Sequence, residues 1–546
     1  MKKIYKLFQT IYNRVDQTLL WPLFSLLMVL KYGYHQFKYF PVLDDWIQYG
    51  SYPLASNIFK DIILAKSTYM TRPLASLSDP YIWGQLWNHM GISFMIITLL
   101  HGLSAFFLYR VIKHFKLPVG LPFLLIYGLL PLGSEATYWI SASSRLVVGI
   151  FFMSLALYLL VGYLKKPRIP YLLGYLLSHL ISMGYYEQIS ILSAFLAFVI
   201  LVLSFKSLRA KWLVVSPIFN FGLLLVYYKA FSGQGNVAAR GQLVQGNYLD
   251  HLKEAFDAIA YVFGSVQMRL MKNGFFRGLQ VMVEDKRFIY LLLIVISSIL
   301  AGLVSYKLSR NKASSISRSL WSIGIGTLAF WLPLAINSLL AVIWICNRNV
   351  FPSFLGLALI LEGLLGLIFR NKYGHMLKAG LVSILCFVFV VVNVSEIDDY
   401  KKASLIDHQV AKDMIAYFDE DILAGTRKVM FFGGESSYID QNSYHHDHIH
   451  NVTTSDWAMT GALRAVARDL DIKQVIMQPW AGASFPIESS YFETALILGI
   501  DQDKNIRPLE AKIIDDTFIE LYTSEGRLFA VLEKTKPYDK YYFHIK

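Results

Sequence analysis

The feature that most constrains this chain is a series of apolar runs, because about 17 to 25 such residues in a row are long enough to cross roughly 30 Å of hydrocarbon as a helix. Eleven runs have that character: Thr18–Tyr34, Gly91–Ile112, Leu117–Gly133, Leu146–Leu164, Ile169–Met183, Ile189–Phe205, Trp212–Phe231, Phe288–Tyr306, Leu320–Ile343, Val350–Phe369 and Leu377–Val394. The fifth is short, and Pro118, Pro122 and Pro131 blur the ends of the third. With 55% hydrophobic and 16% charged residues among 546, the composition excludes an ordinary soluble globular chain. The net charge of +13 does not point to nucleic acid, since the basic residues fall in short clusters between apolar runs rather than on one face. The two cysteines, Cys346 and Cys386, lie within or at the end of apolar runs and indicate neither a disulfide framework nor a zinc site. The first run lacks a small-residue cleavage site and carries Lys31, so it reads as a span that stays.

Lys and Arg are enriched in cytoplasmic connections. Lys2, Lys3 and Lys6, then Arg110, Lys113 and Lys116, Lys165, Lys166 and Arg168, Lys206, Arg209 and Lys211, Lys307, Arg310, Lys312 and Arg318, and Arg370 with Lys372 occupy every second connection. With an internal amino terminus, this puts the loops of Asp44, Glu135, Glu187 and Arg348 outside together with the tail. The expected fold is an α-helical polytopic membrane protein with about eleven transmembrane helices over residues 1–394 and outer loops at 35–90 and 232–287. A small extracytoplasmic α/β domain is expected over residues 395–546.

Within the second outer loop, the Gly-rich Ser232–Asn236 piece precedes Leu252, Phe256, Ile259 and Phe263, spaced as one helical face opposite Lys253, Glu254 and Asp257. That pattern fits a helix lying in the membrane interface or one packed in an external subdomain. Beyond Ser395, helices are expected at Ala411–Phe418 and Ala458–Asp469. Strands are expected at Lys428–Phe432, Gln474–Met477, Thr517–Tyr522 and Leu528–Leu532.

The expected outer face gathers ionisable groups, which near a membrane are costly enough to call for a functional reading. Asp44 and Asp45 bring negative charge, Glu135 and Glu187 add further acids, Arg72, Arg145 and Arg348 bring positive charge, and Trp46, Trp83, Trp87 and Trp139 lie among them. Moving a sugar from a phosphate-linked donor to a hydroxyl needs a base for the acceptor proton and cations for the departing phosphate. A carboxylate suits the first role, arginine grips phosphate through parallel hydrogen bonds, and tryptophan stacks on sugar faces. Against this stand simpler readings: Asp44-Asp45 as a solvated turn or helix cap, Arg145 and Arg348 as headgroup anchors, Glu135 and Glu187 as caps or arginine partners, and the tryptophans as an interfacial belt. His445, His446, Asp447, His448 and His450 have metal-ligand chemistry without a helical ligand spacing, and Gly433-Gly434-Glu435-Ser436 resembles a strand-to-loop turn rather than a phosphate loop.

The order of these motifs resembles the GT-C superfamily of integral-membrane glycosyltransferases, which use polyprenyl-phosphate-linked sugars. Asp44-Asp45-Trp46 followed by Thr71-Arg72-Pro73-Leu74 is similar to the acidic first-loop motif and downstream Arg-Pro-Leu of that family. His101 resembles the start of its second span, and the Pro131 to Arg145 stretch, with Glu135 and Trp139, its third-to-fourth-span loop. Glu187-Gln188-Ile189 and Asn347-Arg348 through Pro352-Ser353 resemble its entries to later spans, although Tyr186 stands where relatives often have lysine.

The resemblance implies an inverting glycosyltransferase of the bacterial plasma membrane. Asp44 is implied as base, with Asp45 as substitute or as a metal or acceptor contact. Arg348 is implied at the donor phosphate with Arg72 and Arg145 assisting, and Glu135, Glu187, Trp46, Trp139 and His101 as substrate contacts. It implies a polyprenyl-phosphate sugar donor, a glycan, lipid or protein acceptor and contact with membrane lipid, and it leaves a divalent cation, Mg or Mn, open. The rival readings are a lipid-linked glycan transporter or flippase, which would carry charged residues at mid-membrane, a glycan polymerase or ligase, and a non-catalytic membrane subunit.

Overall fold

The computed structural model describes residues 17–64, 72–231, 244, 247–310, 315–439, 449–468, 471–472, 475–477, 485–486, 490–515, 517–535 and 540–544. Lys2, Lys3, Lys6, Thr71, the Ser232–Asn236 piece, Lys312 and His445 to His448 lie outside these residues.

The described chain is mostly helical, with a small sheet region near its carboxy end. Each of the eleven apolar runs contains helix, and five helical segments are long and apolar enough to cross a membrane: Pro73–His114, Ile140–Lys165, Phe288–Arg310, Asn347–Ile368 and Lys372–Ile415. Leu19–Tyr32, Ile169–Met183, Glu187–Leu203 and Lys211–Tyr227 are apolar but shorter. The third run shows how proline sets length. Its helix, Leu121–Leu129, starts with Pro122 in the first turn and ends where Leu130 goes extended before Pro131. Nine residues rise only about 14 Å, and all nine are buried, so this helix is a core element of the bundle.

The Lys372–Ile415 helix does the opposite. At 44 residues it rises about 66 Å, roughly twice the hydrocarbon thickness. Composition turns polar at Ser395, yet the helix runs on without a break and ends inside the carboxy-terminal domain, so the expected 411–418 helix is its last turns. It packs against Phe288–Arg310 and against Gln267–Glu284, where Gly278 lets the two backbones meet: a Cβ there would come within 2.2 Å of the Val391 carbonyl oxygen.

The carboxy-terminal sheet has strands β1 (Val429–Phe432), β2 (Ile476–Met477), β3 (Phe485–Pro486), β4 (Leu496–Ile500), β5 (Ile506–Ile513), β6 (Phe518–Thr523), β7 (Leu528–Thr535) and β8 (Lys540–His544), in the order β2-β1-β4-β5-β6-β7-β8-β3. The pairs of β1 with β2 and β4 are parallel, and β4 through β8 form an antiparallel meander. Alternation along β1 sends Val429 and Phe431 into one apolar cluster and Met430 and Phe432 into another on the opposite face. The first cluster also contains Met414 and, from the far end of the sequence, Trp46. The connection that carries Trp46 is therefore built from the helical bundle into the core of the carboxy-terminal domain.

Candidate functional site

Asp44 and Asp45 are neighbours with opposite surroundings. Asp45 is fully buried; its Oδ1 accepts from the Ser141 N–H at 2.8 Å and the Ser141 hydroxyl at 2.7 Å, and its Oδ2 from the Tyr39 hydroxyl and the Val42 N–H. Burial raises its carboxyl above the ordinary carboxylate range, and the bonds from Tyr39, Ser141 and Val42 act against that rise without cancelling it. A carboxylate so enclosed ties the Asp44-Asp45 loop to the start of the Ile140–Lys165 helix and has no lone pair left for a substrate. Asp44 is half-buried. It occupies the N-cap position of the short Asp45–Gly50 helix but makes no cap bond, so the capping alternative does not hold. Instead its Oδ1 accepts from the indole N–H of Trp457 at 2.7 Å.

The three arginines come together, each fastened to an acid on a different element. Arg72 donates from Nε to both carboxylate oxygens of Glu187, at 3.0 and 3.1 Å, with its guanidinium 4.0 Å above the ring of Tyr186. Arg145 donates from Nε and Nη2 to Oδ2 of Asp79 at 2.9 and 2.5 Å, and the Ser144 hydroxyl donates to the other oxygen at 3.2 Å. Arg348 places its backbone N–H 3.0 Å and its Nη1 3.2 Å from the two oxygens of Glu135, with its guanidinium 4.9 Å over Trp139. Arg72 acts electrostatically on both Arg145 and Arg348, and Asp44 acts on Arg348, so Arg72 links the three cations and Arg348 links them to the half-buried acid. Tyr186 also donates to the Asn349 side chain at 2.8 Å, linking the ring under Arg72 to the turn that carries Arg348.

The remaining expected contacts fall elsewhere. Trp46 is buried in the carboxy-terminal core, and Trp139 is buried with its indole N–H on the Val42 carbonyl and one face under Arg348. Neither offers an open face for a sugar. Trp83 is buried, and Trp87 lies under Arg468 at 4.4 Å. His101 sits a layer deeper, buried against Tyr127 and Phe351 with Nε2 on the Tyr127 carbonyl at 3.3 Å, so it packs beneath the Arg348 turn rather than beside the arginines. The Gly433-Gly434 turn is filled by the protein itself: added Cβ atoms would strike the Ile500 carbonyl, Phe529 and Thr453. Among the described residues no group of three His, Cys, Asp or Glu is placed to hold a metal ion.

Asp79 and Trp457 were missed by sequence reasoning. A count of charges gives a signal for Asp79, since Arg145 requires a counter-charge once buried. Trp457 meets Asp44 across 413 positions of sequence, and nothing local announces that contact. A second group was also missed: Glu396, Asp398 and Asp399 are buried on the long helix, where Arg277 pairs with Asp398 at 3.7 Å and with Asp399, His35 approaches Asp398 at 3.4 Å, and the buried Lys31 lies in the field of Glu396.

No protein-family model matches this chain, and no curated protein matches it. The fold and the site therefore define only a class: a helical chain with several helices able to cross a membrane, a cluster of paired arginines and acids, and a small sheet domain docked upon it.

Proposed function

We propose that this protein is an inverting glycosyltransferase of the membrane's outer face, moving a sugar from a polyprenyl-phosphate donor to an acceptor hydroxyl, with about eleven spans and the carboxy-terminal domain outside. The observation that carries the reading is Asp44. It is the half-buried acid of the pair, held by one oxygen only, in the field of an arginine that belongs to a cluster of three. In the reaction, the acceptor oxygen attacks the anomeric carbon and its proton passes to Asp44 Oδ2. The bond from that carbon to the phosphate oxygen breaks, and polyprenyl phosphate leaves with the electron pair. Arg348, Arg72 and Arg145 would meet the charge developing on phosphate with the N–H groups their acids leave over.

The test is transfer of radiolabel from a polyprenyl-phosphate hexose in membranes carrying wild type, Asp44→Asn or Asp45→Asn protein. Loss of transfer in Asp44→Asn with the protein still folded supports the reading, and full activity in that variant removes the base. A transporter reading is favoured by one observation, the buried charges Lys31, Glu396, Asp398 and Asp399 with the partly buried Arg277 on helices of the bundle, since such groups mark translocation paths. Uptake of a lipid-linked glycan into proteoliposomes with no glycosyl transfer would select it.

A further inference from the structure

We propose that Trp457, supplied by the carboxy-terminal domain, is the platform on which a carbohydrate ring of the acceptor stacks beside Asp44. The inference rests on the glycosyl-transfer reading above and narrows the acceptor to a glycan. Two tryptophans first expected to stack on sugar are closed, at 4% exposure for Trp46 and 3% for Trp139, whereas Trp457 is 44% exposed. An exposed indole normally turns about two side-chain bonds. Here its N–H is tied to Asp44 Oδ1 at 2.7 Å, so the ring is held before any ligand arrives and binding need not order it.

The helix that carries it is held as firmly. Trp457, Gly461, Arg464 and Arg468 are spaced four, three and four residues apart, one face of the Asp456–Ala467 helix and its cap, and every one meets the first outer loop. A Cβ at Gly461 would lie 2.8 Å from the backbone of Trp46 and Ile47, Arg464 donates to the Ser51 hydroxyl at 3.3 Å, and the Arg468 guanidinium covers Trp87 at 4.4 Å. The platform is therefore fixed in register with Asp44.

The chemistry matches one ligand class. A flat apolar ring face with the Asp44 carboxylate at its N–H edge complements a pyranose. The C–H face of the sugar lies on the indole and its hydroxyls reach outward, one of them to Asp44 Oδ2. A lipid tail would need a continuous apolar floor, which the Asp44 carboxylate at the rim denies it. The binding residue is Trp457; its hold on Asp44 Oδ1 is a positioning contact that turns Oδ2 toward the acceptor.

The test uses the full chain in lipid nanodiscs. Hydroxyl-radical footprinting read by mass spectrometry is run with and without oligosaccharides released from the envelope glycan of the encoding cell. Oxidation at Trp457 is expected to fall about threefold or more with the oligosaccharide at a concentration that fills at least about two-thirds of the sites. Trp212, 58% exposed in the turn that precedes the Ser216–Phe231 helix, serves as the internal reference. Equal oxidation of Trp457 in both samples overturns the proposal. In a second arm, Trp457→Ala is expected to raise the acceptor KM about tenfold and Trp457→Phe, which keeps a ring, less, with the change falling on acceptor rather than donor KM. An unchanged acceptor KM in Trp457→Ala also overturns it. Protection of Trp457 without any glycosyl transfer supports the platform while sinking the transferase reading, so the two failures are told apart.

Discussion

Where the Asp456–Ala467 helix crosses the Asp45–Gly50 helix the packing is glycine on glycine, and substituting it tests whether the site is assembled from both. A Cβ added at Gly50 would lie 1.9 Å from the Gly461 carbonyl oxygen and 2.9 Å from the Ala465 nitrogen, both backbone atoms that cannot swing aside. Restoring even the tightest tolerated separation of 3.0 Å needs about 1.1 Å of movement, and ordinary contact at 3.4 Å about 1.5 Å. The Trp457–Asp44 bond, 2.7 Å long, would stretch beyond hydrogen-bonding reach under either shift. Overpacking of this kind costs about 1–3 kcal/mol, and loss of a hydrogen bond to a half-exposed carboxylate adds about 1 kcal/mol. Docking of the Asp456–Ala467 helix should therefore weaken by about 2–4 kcal/mol in Gly50→Ala, a factor of roughly 30 to 1000 in its opening equilibrium. Hydrogen–deuterium exchange of the full-length protein, read on peptides covering residues 456–467, measures that opening directly. Gly102→Ala is the control, because nothing lies within 4 Å of a Cβ there and the helix continues on both sides. Exchange in Gly50→Ala at the rate of Gly102→Ala would refute the interlocking of domain and loop.

Other outcomes follow from the same geometry. Asp45→Asn should lower thermal stability by about 2–3 kcal/mol, because an amide aims hydrogens at the donors that Asp45 now satisfies, while Asp44→Asn should leave stability within about 0.5 kcal/mol; both are read from detergent-solubilised thermal unfolding. Arg145→Ala leaves the buried Asp79 carboxylate unpaired and should cost about 3–5 kcal/mol, part of which the double variant Arg145→Ala/Asp79→Asn recovers. Arg348→Lys keeps the charge but not the paired geometry on Glu135, so transfer should fall at least about tenfold if the guanidinium edge matters. Since burial raises the folded-state Asp45 carboxyl above its unfolded value, the folded chain holds that proton more tightly. This contribution to stability is present at low pH and lost as pH climbs toward neutrality, and Asp45→Asn should flatten that part of the pH–stability curve.

Sequence patterns located the helices because apolar length and proline act locally. Pro122 and Pro131 bound Leu121–Leu129 as their chemistry requires, and Val429–Phe432 and Leu528–Thr535 lie close to where alternating apolar residues put them. Composition alone says less. The turn to polar residues at Ser395 gives no sign that one unbroken helix runs through it, with Asp398 and Asp399 paired to Arg277 and Glu396 acting on Lys31 of the first described helix. At the site, the residue types were legible and their division of labour was not. Asp44-Asp45 is symmetric on paper, and only the fold, by turning Asp45 onto Ser141 and Asp44 onto Trp457, separates a structural acid from an available one. Trp46 beside them looks like a substrate contact, and the docking of the Asp456–Ala467 helix makes it core.

Charge balance explains why the arginine cluster is built as three separate pairs. Arg72, Arg145 and Arg348 carry three positive charges, and Glu187, Asp79 and Glu135 return three negative ones, so with Asp44 the site is not a net cationic sink. Three unpaired guanidinium groups at this proximity would repel one another and scatter. Paired, each is oriented by a carboxylate on a separate helix, which makes the cluster a reporter of correct helix packing. Among the described residues, the bonds that orient them use Nε of Arg72, Nε and Nη2 of Arg145, and Nη1 and the backbone N–H of Arg348. The unused guanidinium edges are directional donors in a field already balanced. Such a site discriminates by geometry rather than by attraction, binding an anion whose oxygens match those edges and giving no general advantage to negative charge.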